Sequence, residues 1–135
     1  MSTSIFVNLP VADLDAAKGF FGKLGYSFNA QFTNDEAACL VIDETIYFML
    51  VTAAKFTEFT NLPIADAKVG TQALYGISRD SRAAVDQIVD AGLAAGGSEP
   101  RPVQDHGFMY SRALADLDGH IWDFFWMDAA VLQPA

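Results

Sequence analysis

The chain alternates between stretches with helical spacing of apolar residues and stretches with strand-like alternation. Helical spacing predicts one helix over residues 13–24, with Asp13 as its N-cap. The same spacing predicts a second helix that starts after Asp80 or Ser81 and ends at Gly96-Gly97. Each half of the chain is therefore expected to contain one main helix.

Runs rich in β-branched and aromatic residues predict the strands. Pro10 has no N–H to donate, so it is expected to end the first strand. Two prolines in the sixth strand predict that it lies at a sheet edge. The predicted strands cover residues 4–9, 26–32, 37–42, 45–52, 72–78, 98–104, 108–115 and 120–127.

The order β-α-β-β-β therefore occurs twice, and residues 11–17 correspond to residues 78–84. One such module is too small to cover both faces of its sheet. We expect an α+β fold in which two modules form a curved eight-stranded sheet, with the helices on the convex face. The concave face would hold a small molecule, or it would be filled by a partner subunit or by the protein's own side chains.

The domain organisation follows from this repeat. We predict a single domain over residues 1–128 and a tail over 129–135. Within the domain, the first module covers 1–60, a connector with a short helix near its start extends to about residue 69, and the second module covers 70–128.

The last predicted strand follows the turn signal Asp118-Gly119 and carries a carboxylate, Asp123, within an apolar run. An ionised carboxylate among apolar neighbours needs a donor, a cation or a proton. A functional role and a structural pairing with a backbone donor or an arginine both remain open. Alternation divides the strand into two faces: His120, Trp122, Phe124 and Trp126 on one, and Ile121, Asp123, Phe125 and Met127 on the other.

Charge and composition exclude several classes of partner. The formal net charge is −9, so neither a nucleic acid nor an anionic membrane surface is an expected partner. The chain starts without the features of a signal peptide and has no apolar run long enough to span a bilayer. The single cysteine, Cys39, lies in an apolar run and is expected to be a buried, inert thiol. A cytoplasmic location fits these features.

Three segments carry a family resemblance: Phe6–Leu14 running into Ala16–Phe21, then Gly76–Asp80, and then Asp116–Asp123. Together they resemble the vicinal oxygen chelate superfamily, which includes glyoxalase I, bleomycin-resistance proteins, extradiol dioxygenases and fosfomycin-resistance transferases. A closer resemblance, to bacterial glyoxalase-like or lactoylglutathione-lyase-like proteins of unassigned activity, is found in Gln104–Tyr110, Gly119–Trp122 and Phe125–Asp128.

The resemblance implies a divalent metal held by His, Gln or Glu side chains on four strands. The corresponding positions here are Phe6, Met49, Leu74 (or Ala73 if the register shifts by one) and Asp123. Only the last has a suitable donor. We therefore expect no tightly held metal and no cofactor.

Other polar residues are candidates for chemistry. His106 lies in a polar turn, where it is either a turn former or a base at the edge of a pocket. Arg112 would pair with Asp123 or an anionic ligand if its face is concave, and would be a surface residue if that face is convex. The catalytic candidates are Asp123, His106 and Tyr110. The predicted ligand-binding residues are Phe6, Asn8, Tyr47, Met49, Tyr110, Arg112, Asp123 and Phe125.

Three functions remain open. The first is a metal-free small-molecule-binding protein of the bleomycin-resistance kind, whose ligand is bulky, flat or cationic. The second is an enzyme, either a lyase or isomerase that uses Asp123 with His106 or Tyr110, or a dioxygenase-type enzyme with unusual metal ligands. The third is an interaction module closed by its own dimer mate. The resemblance also implies a homodimer.

Overall fold

The computed structural model describes residues 2–132, and the chain divides into two compact units, Met1–Asp66 and Ala67–Ala135. Each unit contains a four-stranded sheet of mixed direction. The first unit consists of β1 (Ile5–Val11), α1 (Leu14–Lys23), β2 (Ser27–Asn29), β3 (Ala37–Asp43), β4 (Ile46–Thr52) and the short α2 (Ala53–Phe56). The second consists of β5 (Leu74–Ser78), α3 (Arg82–Ala94), β6 (Gln104–Asp105), β7 (Met109–Ala115) and β8 (Ile121–Met127).

The two sheets have the same topology. The strand order is β1-β4-β3-β2 in the first unit and β5-β8-β7-β6 in the second. In each, the first strand pairs in parallel with the last, and the other pairs are antiparallel. The predicted α+β class, the eight strands and the repeated β-α-β-β-β order are confirmed, with the strands arranged as two sheets of four.

The N-caps of the two main helices follow the sequence signals. The Asp13 carboxylate accepts a hydrogen bond of 3.0 Å from the backbone N–H of Ala16. Of the two cap candidates before α3, the structure selects Ser81, whose hydroxyl accepts from the Ala84 N–H, also at 3.0 Å. Both caps satisfy backbone donors that the first helical turn leaves unpaired.

Three predicted strand boundaries are wrong. β1 continues through Pro10 to Val11, and it lies at the edge of its sheet, where a missing N–H is tolerated. β2 stops at Asn29, because that side chain accepts from the Gln31 N–H and starts a 3-10 turn. The predicted strand 98–104 is reduced to β6 and an isolated bridge between Ser98 and Ala115.

The hydrophobic core of each unit lies between its sheet and its main helix. Phe21 of α1 packs among fully buried residues that include Leu40 and Leu50. In the second unit, Ile88 of α3 is buried, as are Trp122 and Phe124 of β8. In both sheets, large side chains that point towards the helix are fully buried, and the smaller Cys39 and Ala113 on the opposite faces are buried as well.

Residues Ala129–Leu132 form a 3-10 turn, so the predicted frayed tail begins with local structure, and residues 133–135 lie outside the described part. In the described part, no helix has both the length and the apolar character needed to span a bilayer.

Candidate ligand-binding site

Strand β8 presents different chemistry on its two faces. Asp123 is in register with Gly76 of β5 and Ala113 of β7, and it lies on the face that points away from α3. Trp122 and Phe124 lie on the opposite face and are fully buried. We call the face that carries Asp123 the helix-free face of the second sheet. Its side chains on β8 are only partly buried.

Asp123 pairs with Arg101, a residue that the sequence did not single out. The Nη2 atom of Arg101 donates to Oδ1 of Asp123 and also, over 2.8 Å, to the hydroxyl of Ser111. The two charged side chains are 27% and 22% exposed, so solvent screens this ion pair only in part. Asp123 is therefore a paired carboxylate, as its structural interpretation predicted.

Arg101 lies in a segment with little conformational freedom. Pro100 and Pro102 flank it, and proline fixes its own φ and favours an extended conformation in the preceding residue. The bridge between Ser98 and Ala115 fixes one end of the segment, and β6 fixes the other by pairing with β7. Residues 99–103 line a shallow depression of about 420 Å³.

The structure does not bring Arg112 to Asp123. Arg112 is opposite Phe124, on the face that α3 covers, and is 8% exposed. Its Nε and Nη2 atoms donate to the two carboxylate oxygens of Glu99, at 2.9 and 3.0 Å, and Nη1 donates to Asp86 and Asp90, both at 3.0 Å. These bonds raise the pKa of Arg112, and the bond from Arg112 lowers the pKa of Glu99. Arg112 thus joins α3, β7 and the segment that carries Arg101, and is neither a partner of Asp123 nor a surface residue.

Tyr110 belongs to the same helix-covered face. Its hydroxyl donates to the Asp86 carboxylate at 2.6 Å, and this bond, with burial, raises the pKa of Tyr110. The guanidinium of Arg82 lies 5.2 Å from the ring centres of both Tyr110 and Trp126. The same guanidinium holds Asp105 through two hydrogen bonds and lowers its pKa to about 2. Tyr110 is therefore not near Asp123 for shared chemistry.

The two histidines occupy different surroundings. His106 is exposed in the turn between β6 and β7, where its ring stacks on Phe108 at 6.3 Å and its backbone N–H donates to the Met109 carbonyl. His120 is buried at the start of β8, and its backbone N–H donates to the Asp116 carboxylate. His106 thus occupies the turn expected for it, on a different segment from Asp123.

Asp116, which the sequence did not single out, is the more buried carboxylate of this hairpin. It is 8% exposed and accepts from the backbone N–H groups of Asp118 and His120 and from the indole of Trp122. Burial raises the pKa of its carboxyl group, although nearby His120 and these donors oppose the rise. Asp116 therefore organises the turn and has little access to a ligand.

The first sheet carries the other predicted ligand residues on its own helix-free face. Phe6 and Tyr47 are in register there and stack with ring centres 4.7 Å apart and planes 14° apart. The Tyr47 hydroxyl donates to the Glu44 carbonyl at 2.6 Å. Asn8 and Met49 form the next pair in register, with Asn8 exposed and Met49 partly buried. This face is aromatic with one exposed amide.

The donor set does not fit the divalent metal that the sequence resemblance implies. Phe6 and Leu74 have hydrocarbon side chains, Met49 offers a weak thioether, and Asp123 is engaged by Arg101. In the described part of the chain, no cluster of three or more His, Cys, Asp or Glu side chains could hold a metal. The side chains at these four positions therefore do not fit a divalent metal.

Comparison with solved structures decides the fold. A hypothetical protein from S. aureus superimposes with a TM-score of 0.79 at 22% identity, covering 93% of this chain and 94% of the other. A glyoxalase-related enzyme from Fulvimarina pelagi gives 0.78 at 20% identity, with 93% and 88% covered. A glyoxalase/bleomycin resistance protein/dioxygenase family enzyme from Burkholderia phytofirmans PsJN gives 0.76 at 16% identity, with 93% and 99% covered.

The chain has the vicinal oxygen chelate fold. A family model described as Bleomycin resistance protein-like N-terminal also matches residues 3–43, which span β1 to β3. The comparison with curated proteins gives no match. The resemblance found in the sequence is confirmed, and at these identities it establishes the vicinal oxygen chelate fold and not a reaction.

Sequence reasoning missed Arg101, the partner of Asp123, and Ser111, which accepts from the same arginine. Arg101 stands between two prolines, which could have indicated a rigid loop, and Ser111 is one residue from Arg112. Phe125 was predicted to bind ligand, and it does share the face of Asp123, with its ring 3.6 Å from the position a Cβ would take at Gly76. The sequence thus identified the strand and the face, and missed the side chain that pairs with its carboxylate.

Proposed function

We propose that this chain is a metal-free small-molecule-binding protein of the glyoxalase/bleomycin-resistance type. The observation that carries the proposal is the pairing of Asp123 with Arg101, whose Nη2 atom also donates to the Ser111 hydroxyl. Of the four positions compared with metal ligands, this carboxylate alone is a strong donor, and a protein cation already engages it.

The surroundings of this pair support ligand binding. Apolar surface with a few fixed polar groups is the usual composition of a small-molecule site. Phe125 and Ile121 lie on the same face as Asp123 and are partly buried. The aromatic pair of Phe6 and Tyr47 gives the first sheet a second candidate surface, which can be tested separately.

An enzyme of the lyase, isomerase or dioxygenase type is less well supported. General acid–base catalysis needs the acid and the base within hydrogen-bonding reach of one substrate. Tyr110 lies on the other face of the sheet from Asp123, and His106 lies in an exposed turn. The residues named for catalysis in the sequence are thus not assembled into one site.

The proposal also includes a homodimer in the cytoplasm. Ile5 of the edge strand β1 is 54% exposed, which is apolar surface that a second copy could cover. The buried thiol of Cys39 suits a reducing compartment. Equilibrium sedimentation at micromolar concentration should give a dimer mass, and a monomer mass would contradict this part of the proposal.

A thermal-shift screen with and without EDTA tests the binding function. Specific ligands should raise the melting temperature, because any ligand that binds only the folded state stabilises it, and EDTA should leave the rise unchanged. Titration calorimetry with Ni²⁺, Zn²⁺, Mn²⁺ and Fe²⁺ should show no stoichiometric uptake. Metal uptake that Asp123→Asn abolishes, or ligand binding that EDTA abolishes, would overturn the metal-free assignment.

A further inference from the structure

Arg101 has hydrogen-bonding capacity that the protein does not use. Its Nη2 atom bonds Asp123 and Ser111, and Nη1 makes one long bond of 3.4 Å to the Pro102 carbonyl. Within residues 2–132, Nε has no hydrogen-bond partner. Since a guanidinium only donates, this unused capacity can be satisfied only by an acceptor.

The carboxylates next to Arg101 are already neutralised. Asp123 is paired with Arg101 itself, and both oxygens of Glu99 accept from Arg112. Both hydrogen bonds that Glu99 accepts thus come from Arg112, and none comes from Arg101. Asp123 instead accepts from Nη2 and holds the guanidinium in place.

The depression next to Arg101 suits a ligand with an apolar body. Glu99, Pro100, Pro102 and Val103 line it together with Arg101, and Val103 is 45% exposed. The flanking prolines hold the backbone before any ligand arrives, which lowers the entropy lost on binding.

We propose that Arg101, held by Asp123 and Ser111, is the anchor for the carboxylate of a small aromatic or aliphatic monoacid whose apolar body rests on Pro100, Pro102 and Val103. This inference rests on the proposed small-molecule-binding function and names the ligand class and the residue that selects it. The net charge of −9 favours a cationic ligand, whereas this inference names an anionic one, because the hydrogen-bond donors at the site belong to Arg101.

Three probes that share the naphthalene ring system test the proposal: naphthoate, naphthamide and naphthylmethylammonium. Binding is followed at pH 7 by NMR of the backbone amides and of the arginine side-chain N–H groups. Naphthoate should bind about tenfold more tightly than the amide, a difference of about 1.4 kcal/mol, and should shift the Arg101 Nε–H signal. The ammonium probe should bind most weakly.

Charge-matched variants test whether the preference for naphthoate depends on Arg101. Arg101→Gln should remove the preference for naphthoate, Arg101→Lys should retain part of it, and Lys23→Gln, an equal charge change on the exposed end of α1, should leave it intact. Circular dichroism establishes that each variant is folded. If Arg101→Gln does not fold, the Arg101→Lys variant and the wild-type Nε–H shift decide.

The outcomes separate this inference from the function it rests on. If naphthoate binds without shifting Arg101, or the ammonium or amide probe binds at this site at least as tightly, the anchor is wrong while ligand binding stands. If neither these probes nor the thermal-shift library binds at all, the proposed function fails as well.

Discussion

Trp122 donates its indole N–H to the carboxylate of Asp116 at 3.0 Å, and both side chains are buried. The bond fastens the last strand to the turn that precedes it. The other oxygen of Asp116 accepts from the backbone N–H groups of Asp118 and His120, so one carboxylate holds the whole hairpin connection.

Asp116→Asn should destabilise the protein. In the wild type both carboxylate oxygens accept from N–H donors, but an asparagine amide has only one acceptor oxygen. Its NH₂ group would therefore face an N–H donor and leave it unpaired, and a buried unpaired donor costs about 1–3 kcal/mol. Urea unfolding measures the loss. The exposed Asp80→Asn should change the free energy of unfolding by less than about 0.5 kcal/mol.

The pH dependence of this variant has a definite sign. Burial raises the pKa of Asp116 in the folded state, so the folded state binds more protons than the unfolded state above the ordinary value of 3.8. This group therefore favours folding at low pH, and its contribution is lost as the pH rises through the folded pKa. Asp116→Asn should remove this component, and an unchanged pH profile of unfolding would contradict the assignment.

Glu99→Gln should weaken the protein at pH 7 by about 1 kcal/mol, because it removes a charged acceptor of Arg112. Arg112 lowers the pKa of Glu99, so this contribution is present above the ordinary value of 4.5 and is lost as the pH falls through the folded pKa. The difference from wild type should therefore shrink in acid. Glu58→Gln, in an exposed pair with Lys55, should show almost no effect at either pH.

Two glycine-to-alanine substitutions in helices should change the free energy of unfolding in opposite directions. A Cβ at Gly92 in α3 would lie against Leu114, with its Cδ1 at 2.8 Å, so Gly92→Ala overpacks the core and should cost about 1–3 kcal/mol. At Gly19 in α1 nothing lies within 4 Å, so Gly19→Ala should stabilise by about 0.4–1 kcal/mol. Thermal unfolding compares the two, and equal signs would contradict the packing of α3 on β7.

Cys39 should be unreactive in the native protein. The residue is fully buried, and burial raises the pKa of its thiol, which leaves little thiolate to react. Labelling with a thiol reagent at pH 7 should be slow in buffer and fast in denaturant. Rapid stoichiometric labelling of the folded protein would show that this part of β3 opens readily.

The sequence predicted the elements well where the pattern was local. The spacing of Leu14, Ala17 and Phe21 defines α1, and Asp13 caps it, because one amphipathic face and one cap residue suffice to specify a helix. Boundaries failed where a side chain competes with the sheet. The Asn29 side chain ends strand pairing and starts a 3-10 turn. An asparagine is compatible with a turn and with an extended conformation, so its residue type alone did not predict this end.

The site was predicted in part for a similar reason. Alternation placed Asp123 and Phe125 on one face, and the register confirms it. The face of Arg112, by contrast, depends on how β7 is paired with β8. Arg112 lies opposite Phe124, and this places the arginine on the face opposite Asp123. The pairing of Asp123 with Arg101 depends on how a loop folds across β7, and no sequence period reports such a contact.

The brevity of β6 bears on how copies of this protein can associate. With two paired residues and prolines just before them, the outer border of the second sheet offers almost no continuous row of backbone donors and acceptors. An additional strand would therefore find few backbone groups to pair with at this edge. Growth of the sheet into aggregates by addition at this border is thereby blocked by the same proline-bearing loop that carries the proposed anchor.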